Sequence, residues 1–305
     1  MSYQMNIFDF IRKPFRIDKP IRLIELFGGI GSQAAALRNL GANFEHYRLV
    51  EFDEYAVKSY NAVHGTQFKP QDITKIHGDD LGIINTKQFT YLLTYSFPCQ
   101  DLSIAGSMRG FNKGSGTRSG LLWEVERLLT ELDELPQVLV MENVTQIHSE
   151  GENMNNFQLW IDFLNGLGYS SYWQDMNAKN YGMPQNRNRT IMVSLLGEYQ
   201  YRFPEPVELT KDVRDYLEDE VDEKYYIKNE KAEILLDKLE EKGIILTDRQ
   251  TDRQTDRHVV DFSINEPEER PIANCIIARY DSGIGNRKQD GSCVCELSRN
   301  IQNGC

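Results

Sequence analysis

The chain has 305 residues and a mass of 35.3 kDa, enough for one large domain or two ordinary ones. Hydrophobic residues make up 40% and charged residues 26%, and no run of 18 apolar residues occurs, so we expect a globular protein without a transmembrane helix. The first 20 residues carry charges throughout and lack an apolar core, which is not the pattern of a secretory signal.

Cysteine content and charge narrow the class further. The five cysteines, at positions 99, 275, 293, 295 and 305, are odd in number and do not indicate a disulfide framework. We therefore expect the protein to reside in the reducing cytoplasm. The net charge is −12, of which residues 205–242 contribute −7. This balance disfavours loose, nonspecific phosphate binding but is compatible with a locally basic groove.

Strand-like and helix-like segments alternate along the first two thirds of the chain. Alternation of this kind predicts right-handed crossovers and an α/β fold with a doubly wound, mostly parallel sheet. After an N-terminal arm (1–20), we predict one α/β domain over 21–197 and a smaller, irregular region over 198–305. The predicted strands are Ile21–Phe27, Tyr47–Phe52, Tyr91–Tyr95, Val138–Met141 and Thr190–Leu195, and the predicted helices are Ser32–Leu40, Glu54–His64, Leu121–Leu132 and Asn155–Leu167.

A glycine-rich turn, Phe27-Gly28-Gly29-Ile30-Gly31, joins the first strand to the first helix, for which Ser32 is the predicted N-cap. Such a turn lets a ligand approach the backbone and points free helical amides at it. Glu51, at the end of the second strand, is placed to hold ribose hydroxyls. The turn could also serve packing alone, and by itself it does not distinguish a nicotinamide cofactor from S-adenosylmethionine.

The third strand runs into Ser96-Phe97-Pro98-Cys99-Gln100, which places Cys99 at the carboxyl edge of a parallel sheet. A lone cysteine is often a small buried hydrophobe, but Pro98 fixes the local backbone and a long glycine-rich loop follows. That loop, Asp101–Gly120, includes Arg109, Lys113 and Arg118. Its glycines and basic residues are typical of a lid over a polyanion.

Charged residues also mark two later strands. Glu142 follows Val138–Met141 and is a candidate proton donor at the sheet edge. Arg187 and Arg189 precede Thr190–Leu195, and alternate residues of an extended segment share one face, so both could pair a carboxylate or bind phosphate. A purely structural salt bridge is the alternative for this pair.

Taken in order, these motifs resemble the cytosine-C5 DNA methyltransferase family of bacterial and phage restriction-modification systems. The matching segments, which span about residues 21–196, are FGGIGS, VEFDEYA, Asp72-Ile73, SFPCQDLS, RSGLLWEV, MENV and QNRNR. The resemblance implies a monomeric DNA (cytosine-5-)-methyltransferase that transfers a methyl group from S-adenosyl-L-methionine to a cytosine flipped out of double-stranded DNA.

The resemblance makes 21–197 the cofactor-binding and catalytic domain and 198–305 a partial target-recognition region, and it also assigns roles to individual residues. It implies Cys99 as nucleophile, Glu142 as acid, and Arg187 and Arg189 as their catalytic partners. The cofactor-binding residues that it implies are Phe27, Gly28, Gly29, Ile30, Gly31, Glu51, Phe52, Asp72, Ile73, Pro98 and Leu121. The base or DNA contacts are Gln100, Ser103, Arg109, Lys113, Arg118 and Asn143.

Two alternatives remain open at this point. The family's C-terminal motifs, a helix with an R-x-x-T-x-x-E-x-x-R-L-Q signature and a Gly-Asn motif, are not found, which is also expected of an inactive chain that only binds cofactor and DNA. A nicotinamide-dependent oxidoreductase could use the same glycine turn, but it leaves Cys99, Glu142 and the arginines unexplained. Since the histidines occur singly and Cys293-x-Cys295 has the wrong spacing for zinc, we expect no metal.

A four-residue repeat, TDRQTDRQTDRH, occupies Thr247–His258. The tandem DNA repeat ACAG encodes Thr-Asp-Arg-Gln in each set of four codons, and His differs from Gln only in the third base. A solvated linker would explain the composition, but it gives no packing reason for identical copies. We therefore hypothesise a phase-variable gene in which gain or loss of one unit shifts the reading frame.

Overall fold

The computed structural model describes residues 12–98, 119–218, 222, 241, 256–261, 268–269, 272–274 and 292–297. The chain folds into two compact units, Met1–Met176 with Asn188–Pro204 and Asn177–Arg187 with Glu205–Cys305. None of the helices in these described ranges is both long enough and apolar enough to cross a membrane.

The first unit alternates strands and helices as the sequence predicted. Its helices are α1 (Ser32–Asn39), α2 (Glu54–His64), α3 (Leu122–Glu131) and α4 (Glu152–Gly166). Its strands are β1 (Lys13–Pro14), β2 (Ile21–Leu26), β3 (Phe44–Val50), β4 (Thr90–Tyr95), β5 (Val138–Asn143), β6 (Tyr169–Asn177), β8 (Asn188–Leu196) and β9 (Tyr199–Gln200). The last residue of β6, Asn177, belongs to the second unit.

Six of these strands form one sheet in the order β3-β2-β4-β5-β8-β6. Strands β3, β2, β4 and β5 run parallel, and β8 runs antiparallel to β5. The chain passes from β2 outward to β3 and then returns to β4 on the other side of β2. The predicted doubly wound, mostly parallel α/β fold is therefore confirmed, with its topological switch point between β2 and β4.

Apolar side chains pack on both faces of this sheet. On one face, Ala34 of α1 and Val57 of α2 pack with Leu23 and Leu49. On the other, Leu128 of α3, Trp160 of α4 and their neighbours form the larger core with Tyr91, Leu93 and Tyr95 of β4. Strand β4 is buried along its whole length, as expected for a central strand covered on both faces.

The predicted elements of the first unit are confirmed with small shifts at their ends. Strand β3 begins three residues before the predicted Tyr47, and α4 begins at Glu152 instead of Asn155. The sequence analysis did not predict β6, whose segment YSSYWQDMN mixes polar and aromatic residues without a regular apolar pattern.

The second unit contains two small sheets. Strand β7 (Gln185–Asn186) pairs in parallel with β12 (Ala273–Asn274). Strand β10 (Asp256–Asp261) lies between β11 (Glu268–Glu269) and β13 (Ser292–Leu297), antiparallel to both. Strand β10 begins within the last copy of the TDRQ repeat; residues 247–255 of that repeat lie outside the described residues.

The register of the large sheet aligns the strand ends of the first unit. One row of paired residues crosses five strands: Val50, Leu26, Tyr95, Met141 and Met192. The chain leaves β2, β3, β4 and β5 just beyond this row, and antiparallel β8 enters there. All five strands therefore present their next residues at one edge, where ligands of open α/β sheets bind.

Candidate active site

Phe27, at the start of the glycine-rich turn, follows β2 immediately and donates its backbone N–H to the Val50 carbonyl over 2.7 Å. Phe27, Gly29 and Gly31 all have positive φ, at 57°, 55° and 80°. A Cβ on Gly29 would meet no atom within 4 Å, so the backbone there is open to a ligand. Gly31, and not the predicted Ser32, is the N-cap of α1, and as a glycine it contributes no capping side chain. The turn thus presents bare backbone at a helix N-terminus.

Glu51 lies beside this turn, and its carboxylate is held by two backbone amides. Oε2 accepts the Gly29 N–H over 3.1 Å, and Oε1 accepts the Asp53 N–H over 3.0 Å. These bonds fix both the turn and the carboxylate. A carboxyl group oriented in this way can accept further hydrogen bonds from vicinal hydroxyls, as a ribose requires.

Phe52 is next to this carboxylate in the chain, and 74% of its surface is exposed. A large exposed aromatic ring at a sheet edge is available to stack on a planar ligand. Asp72 caps a short turn by accepting the backbone N–H and the hydroxyl of Thr74 over 3.0 and 2.8 Å. These hydrogen bonds hold the pKa of Asp72 below its usual value. The side chain of Ile73 is buried in the larger core.

The structure adds a residue that the sequence analysis missed. Glu25 of β2 is fully buried beneath the glycine-rich turn. Its Oε2 accepts the Tyr60 hydroxyl over 2.5 Å, and its Oε1 lies 3.4 Å from the Ala34 amide in the first turn of α1. The Tyr60 oxygen in turn lies 2.8 Å from His46 Nδ1. A glutamate inside the apolar run IRLIELF is the signal that could have identified this site.

Burial controls the ionisation of this group of residues. It raises the pKa of Glu25 to about 7, although the Tyr60 hydroxyl and the Ala34 amide oppose that shift by stabilising the carboxylate. Burial and the bond to Glu25 raise the pKa of Tyr60, and burial lowers that of His46. With Glu25 ionised, Tyr60 donates to it and His46 Nδ1 donates to Tyr60. Near neutral pH the turn therefore rests on a carboxyl close to half ionised.

His64 supports the same turn from α2. Its Nε2 lies 3.0 Å from the Ile30 carbonyl, and its Nδ1 lies 3.4 Å from Arg38. Because a carbonyl accepts and a guanidinium donates, these partners are matched by a ring that donates from Nε2 and accepts at Nδ1. The side chain of Ile30 itself is 61% exposed.

The segment after β4 lies at the same edge as the glycine-rich turn. Ser96 Oγ accepts a hydrogen bond from Gln33 of α1 over 3.3 Å. Asn143 Nδ2 donates to the Phe97 carbonyl over 3.0 Å, and its Oδ1 accepts the Val144 amide over 2.9 Å. The sequence predicted a DNA contact for Asn143, but its side chain is 2% exposed and its amide links two edge segments inside the protein. Pro98 continues the first of these segments.

Glu142 and Arg189 form the charged pair of this edge. Arg189 Nε lies 3.1 Å from Glu142 Oε1, and the side chains of Arg189 and Glu142 are 21% and 25% exposed. The antiparallel register of β5 and β8 produces this contact, because it sets Glu142 opposite Ile191, two residues from Arg189. Arg187 belongs to the second unit, where its backbone N–H donates to Asn177 Oδ1 over 3.1 Å.

The remaining residues of the predicted site either pack against the core or lie outside the described residues. Leu121 precedes α3 and packs against the larger core. Among the described residues, no group of three or more His, Cys, Asp and Glu side chains could hold a metal ion. The predicted nucleophile and most of the predicted DNA contacts lie outside the described residues; these are Cys99, Gln100, Ser103, Arg109, Lys113 and Arg118.

The fold and this edge define a doubly wound α/β protein that carries a glycine-rich turn and a paired acid and arginine at the same edge of its sheet. The family model described as C-5 cytosine-specific DNA methylase matches residues 21–283. The chain belongs to this family, and the predicted resemblance is confirmed. The comparisons do not support the nicotinamide-dependent alternative.

Individual relatives agree with this assignment. The chain is similar to the type II methyltransferase M2.ScrFI of Lactococcus lactis subsp. cremoris, with 31% identity over 258 residues, covering 68% of this chain and 71% of that protein. It is also similar to the orphan methyltransferase M.SssI of Spiroplasma monobiae, with 32% identity, covering 69% of this chain and 68% of that protein.

A solved structure supports the fold. The S. pombe Dnmt2 methyltransferase matches with a TM-score of 0.54 and 22% identity, covering 74% of this chain and 66% of that chain. At this identity the likeness concerns the fold alone.

Proposed function

We propose that this chain is a DNA (cytosine-5-)-methyltransferase that acts in the cytoplasm on a specific DNA sequence, for restriction-modification or phage self-protection. Its substrates are S-adenosyl-L-methionine and a cytosine flipped out of double-stranded DNA. The observation that carries the proposal is the row of aligned strand ends, because it gathers the glycine-rich turn, Glu51, the Ser96–Pro98 segment and the Glu142–Arg189 pair at one edge.

The first unit offers side chains that suit a nucleoside cofactor. Gly29 leaves open space above its backbone, Glu51 presents an oriented carboxylate, and Phe52 presents an exposed ring. Asp72 adds a carboxylate whose lowered pKa keeps it an acceptor at neutral pH. S-adenosyl-L-methionine, held by these residues, supplies the electrophilic methyl group of the reaction.

The nucleophile that we propose is Cys99, which directly follows Pro98 at this edge. Carbon C5 of cytosine is a poor nucleophile, and addition of a thiolate to C6 makes it electron-rich. In this step the Cys99 Sγ–C6 bond forms and the electron pair of the C5–C6 double bond moves into the ring toward N3. After methylation, loss of the C5 proton and expulsion of the thiolate restore the aromatic ring.

Glu142 and Arg189 act on the negative charge that the addition of the thiolate places on the cytosine ring. Negative charge arriving at N3 needs a hydrogen-bond donor, which a protonated Glu142 supplies. Arg189, 3.1 Å from Glu142, orients this carboxyl. We further propose that Arg187 orders the DNA side of the site, and that the loop with Arg109, Lys113 and Arg118 closes over the DNA.

The decisive experiment is incubation of the full chain with labelled S-adenosyl-L-methionine and cytosine-containing duplex DNA. We expect label to enter the DNA with wild-type protein and not with Cys99→Ser. S-adenosylhomocysteine binding without any label transfer would instead support a chain that only binds its ligands. Transfer that persists in Cys99→Ser would contradict the assignment of the nucleophile.

Covalent chemistry can be tested separately with DNA that carries 5-fluorocytosine at the target. Fluorine cannot leave as the C5 proton does, so the protein should remain attached to the DNA through Cys99. Glu142→Gln should still bind cofactor and DNA but lose about a hundredfold in turnover, the range expected of acid–base catalysis. Normal turnover in Glu142→Gln would remove this residue from the mechanism.

A further inference from the structure

A polar cluster, centred on an Asp175 side chain that is 34% exposed, lies close to the Glu142–Arg189 pair. It consists of His148, Asp175 and Thr190, which meet at one oxygen atom. Asp175 Oδ1 accepts the Thr190 hydroxyl over 2.7 Å and lies 2.9 Å from His148 Nε2. Thr190 is fully buried, and the His148 side chain is 15% exposed. Neither the cofactor residues nor the proposed proton transfer uses this cluster.

The cluster joins three segments that border the site. Thr190 follows Arg189 on β8 and is paired across the sheet with Asn143, the residue after Glu142. His148 ends the short turn Thr145–His148 that follows β5, and Asp175 lies on the neighbouring strand β6. Successive side chains of a strand point to opposite faces, so the cluster and the Arg189 side chain lie on opposite faces of β8.

Aromatic packing restricts movement of the cluster. The His148 ring lies 4.7 Å from the Trp173 ring, at an interplanar angle of 37°. Phe157 packs edge-on against Trp173 with 5.4 Å between ring centres. A histidine held in this way has little rotational freedom, so its Nε2 keeps a constant direction toward Asp175. The cluster is therefore a rigid connection between β8 and the segment that follows Glu142.

We propose that His148, Asp175 and Thr190 are positioning residues that hold the start of β8 so that Arg189 meets Glu142. Valine would fill the space of Thr190 in a buried strand equally well, and the hydroxyl adds only its bond to Asp175. Without that bond, the first turn after β5 and the first residues of β8 lose their common anchor. The expected effect on catalysis rests on the proposed methyltransferase function, whereas the expected effect on the contact between Arg189 and Glu142 does not.

The geometric test is a double-mutant cycle between Glu142→Gln and Arg189→Gln, measured by urea unfolding of the full chain. The cycle is repeated in Thr190→Val, which removes only the hydroxyl, and in Thr190→Ser, which keeps it. We expect the coupling energy between Glu142 and Arg189 to fall by about half or more in the Thr190→Val background. It should persist in the Thr190→Ser background. A role in general stability alone would shift every variant equally and leave the coupling unchanged, which would overturn the proposal.

The kinetic test separates binding from chemistry. Thr190→Val should lower kcat about tenfold with the KM for S-adenosyl-L-methionine unchanged, and Thr190→Ser should restore it. An unchanged kcat in Thr190→Val would overturn the proposal. If Thr190→Val does not fold, His148→Phe, which keeps the ring stacking and loses Nε2, takes its place with the same expected results. If wild-type protein transfers no methyl group, the proposed function fails and the coupling measurement still decides the positioning role.

Discussion

Replacing Glu25 with glutamine should change how the stability of the first unit depends on pH. The pKa of Glu25 is 4.5 in an unfolded chain and about 7 in the folded protein, where the side chain is fully buried. The folded state thus binds more protons than the unfolded state between these values. Stability is fully present below the unfolded pKa and is lost as pH rises through the folded one.

The magnitude follows from the size of the shift. Each pKa unit corresponds to about 1.4 kcal/mol, so the ionisation of Glu25 costs about 3 kcal/mol above pH 8. Between about pH 5.5 and 8.5 the change is about 2 kcal/mol, because part of the loss has already occurred at the lower value. Glu25→Gln cannot ionise and should not show this loss. Relative to wild type, the variant should therefore gain about 2 kcal/mol as pH rises across this range.

Urea unfolding at several pH values, followed by tryptophan fluorescence, measures this difference. All three tryptophans, Trp123, Trp160 and Trp173, lie in the first unit, so the signal reports on that unit. Glu54→Gln is the matched control, since Glu54 is exposed on α2 and its curve should run parallel to wild type. A constant difference between Glu25→Gln and wild type at every pH would refute the reasoning.

Three further predictions concern single features. Asp53→Ala removes the side chain that caps α2 and should lower the free energy of unfolding by about 1 kcal/mol, measured by thermal unfolding. Asp53→Asn should retain most of the stability, and equal losses in the two variants would argue against a capping role. Glu51→Gln should weaken S-adenosylhomocysteine binding about tenfold by calorimetry, with Glu54→Gln unaffected, and an unchanged Kd would exclude Glu51 from the cofactor site. Sequencing the gene across codons 247–258 should give ACA, GAC and AGA throughout, and mixed codons would end the repeat hypothesis.

Much of the fold could be predicted because its strands carry strong local signals. The strand predicted at Ile21–Phe27 is β2 almost unchanged, since an apolar run bounded by proline and glycines has few other solutions. The β5 and β8 segments were predicted for the same reason. Strand β6 was missed because its stability comes from neighbours in the sheet, and its own residues show no regular alternation.

The site was predicted in part, and the failures have a common cause. Glu51 and the glycine turn follow from their position after strands, and so does the proximity of Glu142 to Arg189. Long-range partners were not visible: the resemblance assigned Asn143 to DNA, and nothing in the sequence indicates its buried hydrogen bond to the Phe97 carbonyl. Glu25 and the His148 cluster were missed because their hydrogen-bond partners lie 9 to 35 residues away in the chain. The position of a residue after a strand predicts which edge of the sheet it occupies. It does not predict which buried side chains contact one another below that edge.

The three glycines of the turn differ in what the structure requires before another residue can replace them. Gly28 lacks space, since a Cβ would come 2.4 Å from Leu49 Cδ1, so a smaller residue at position 49 could suppress Gly28→Ala. Gly29 has open space and a left-handed backbone, which asparagine tolerates without any second change. Gly31 is constrained by both, because φ is 80° and a Cβ would lie 2.4 Å from His64 Nε2 and 2.6 Å from the Tyr60 ring. The fold alone can therefore accept a side chain at position 28 with one second change and at position 29 with none, whereas a change at Gly31 requires the backbone and two supporting side chains to move together.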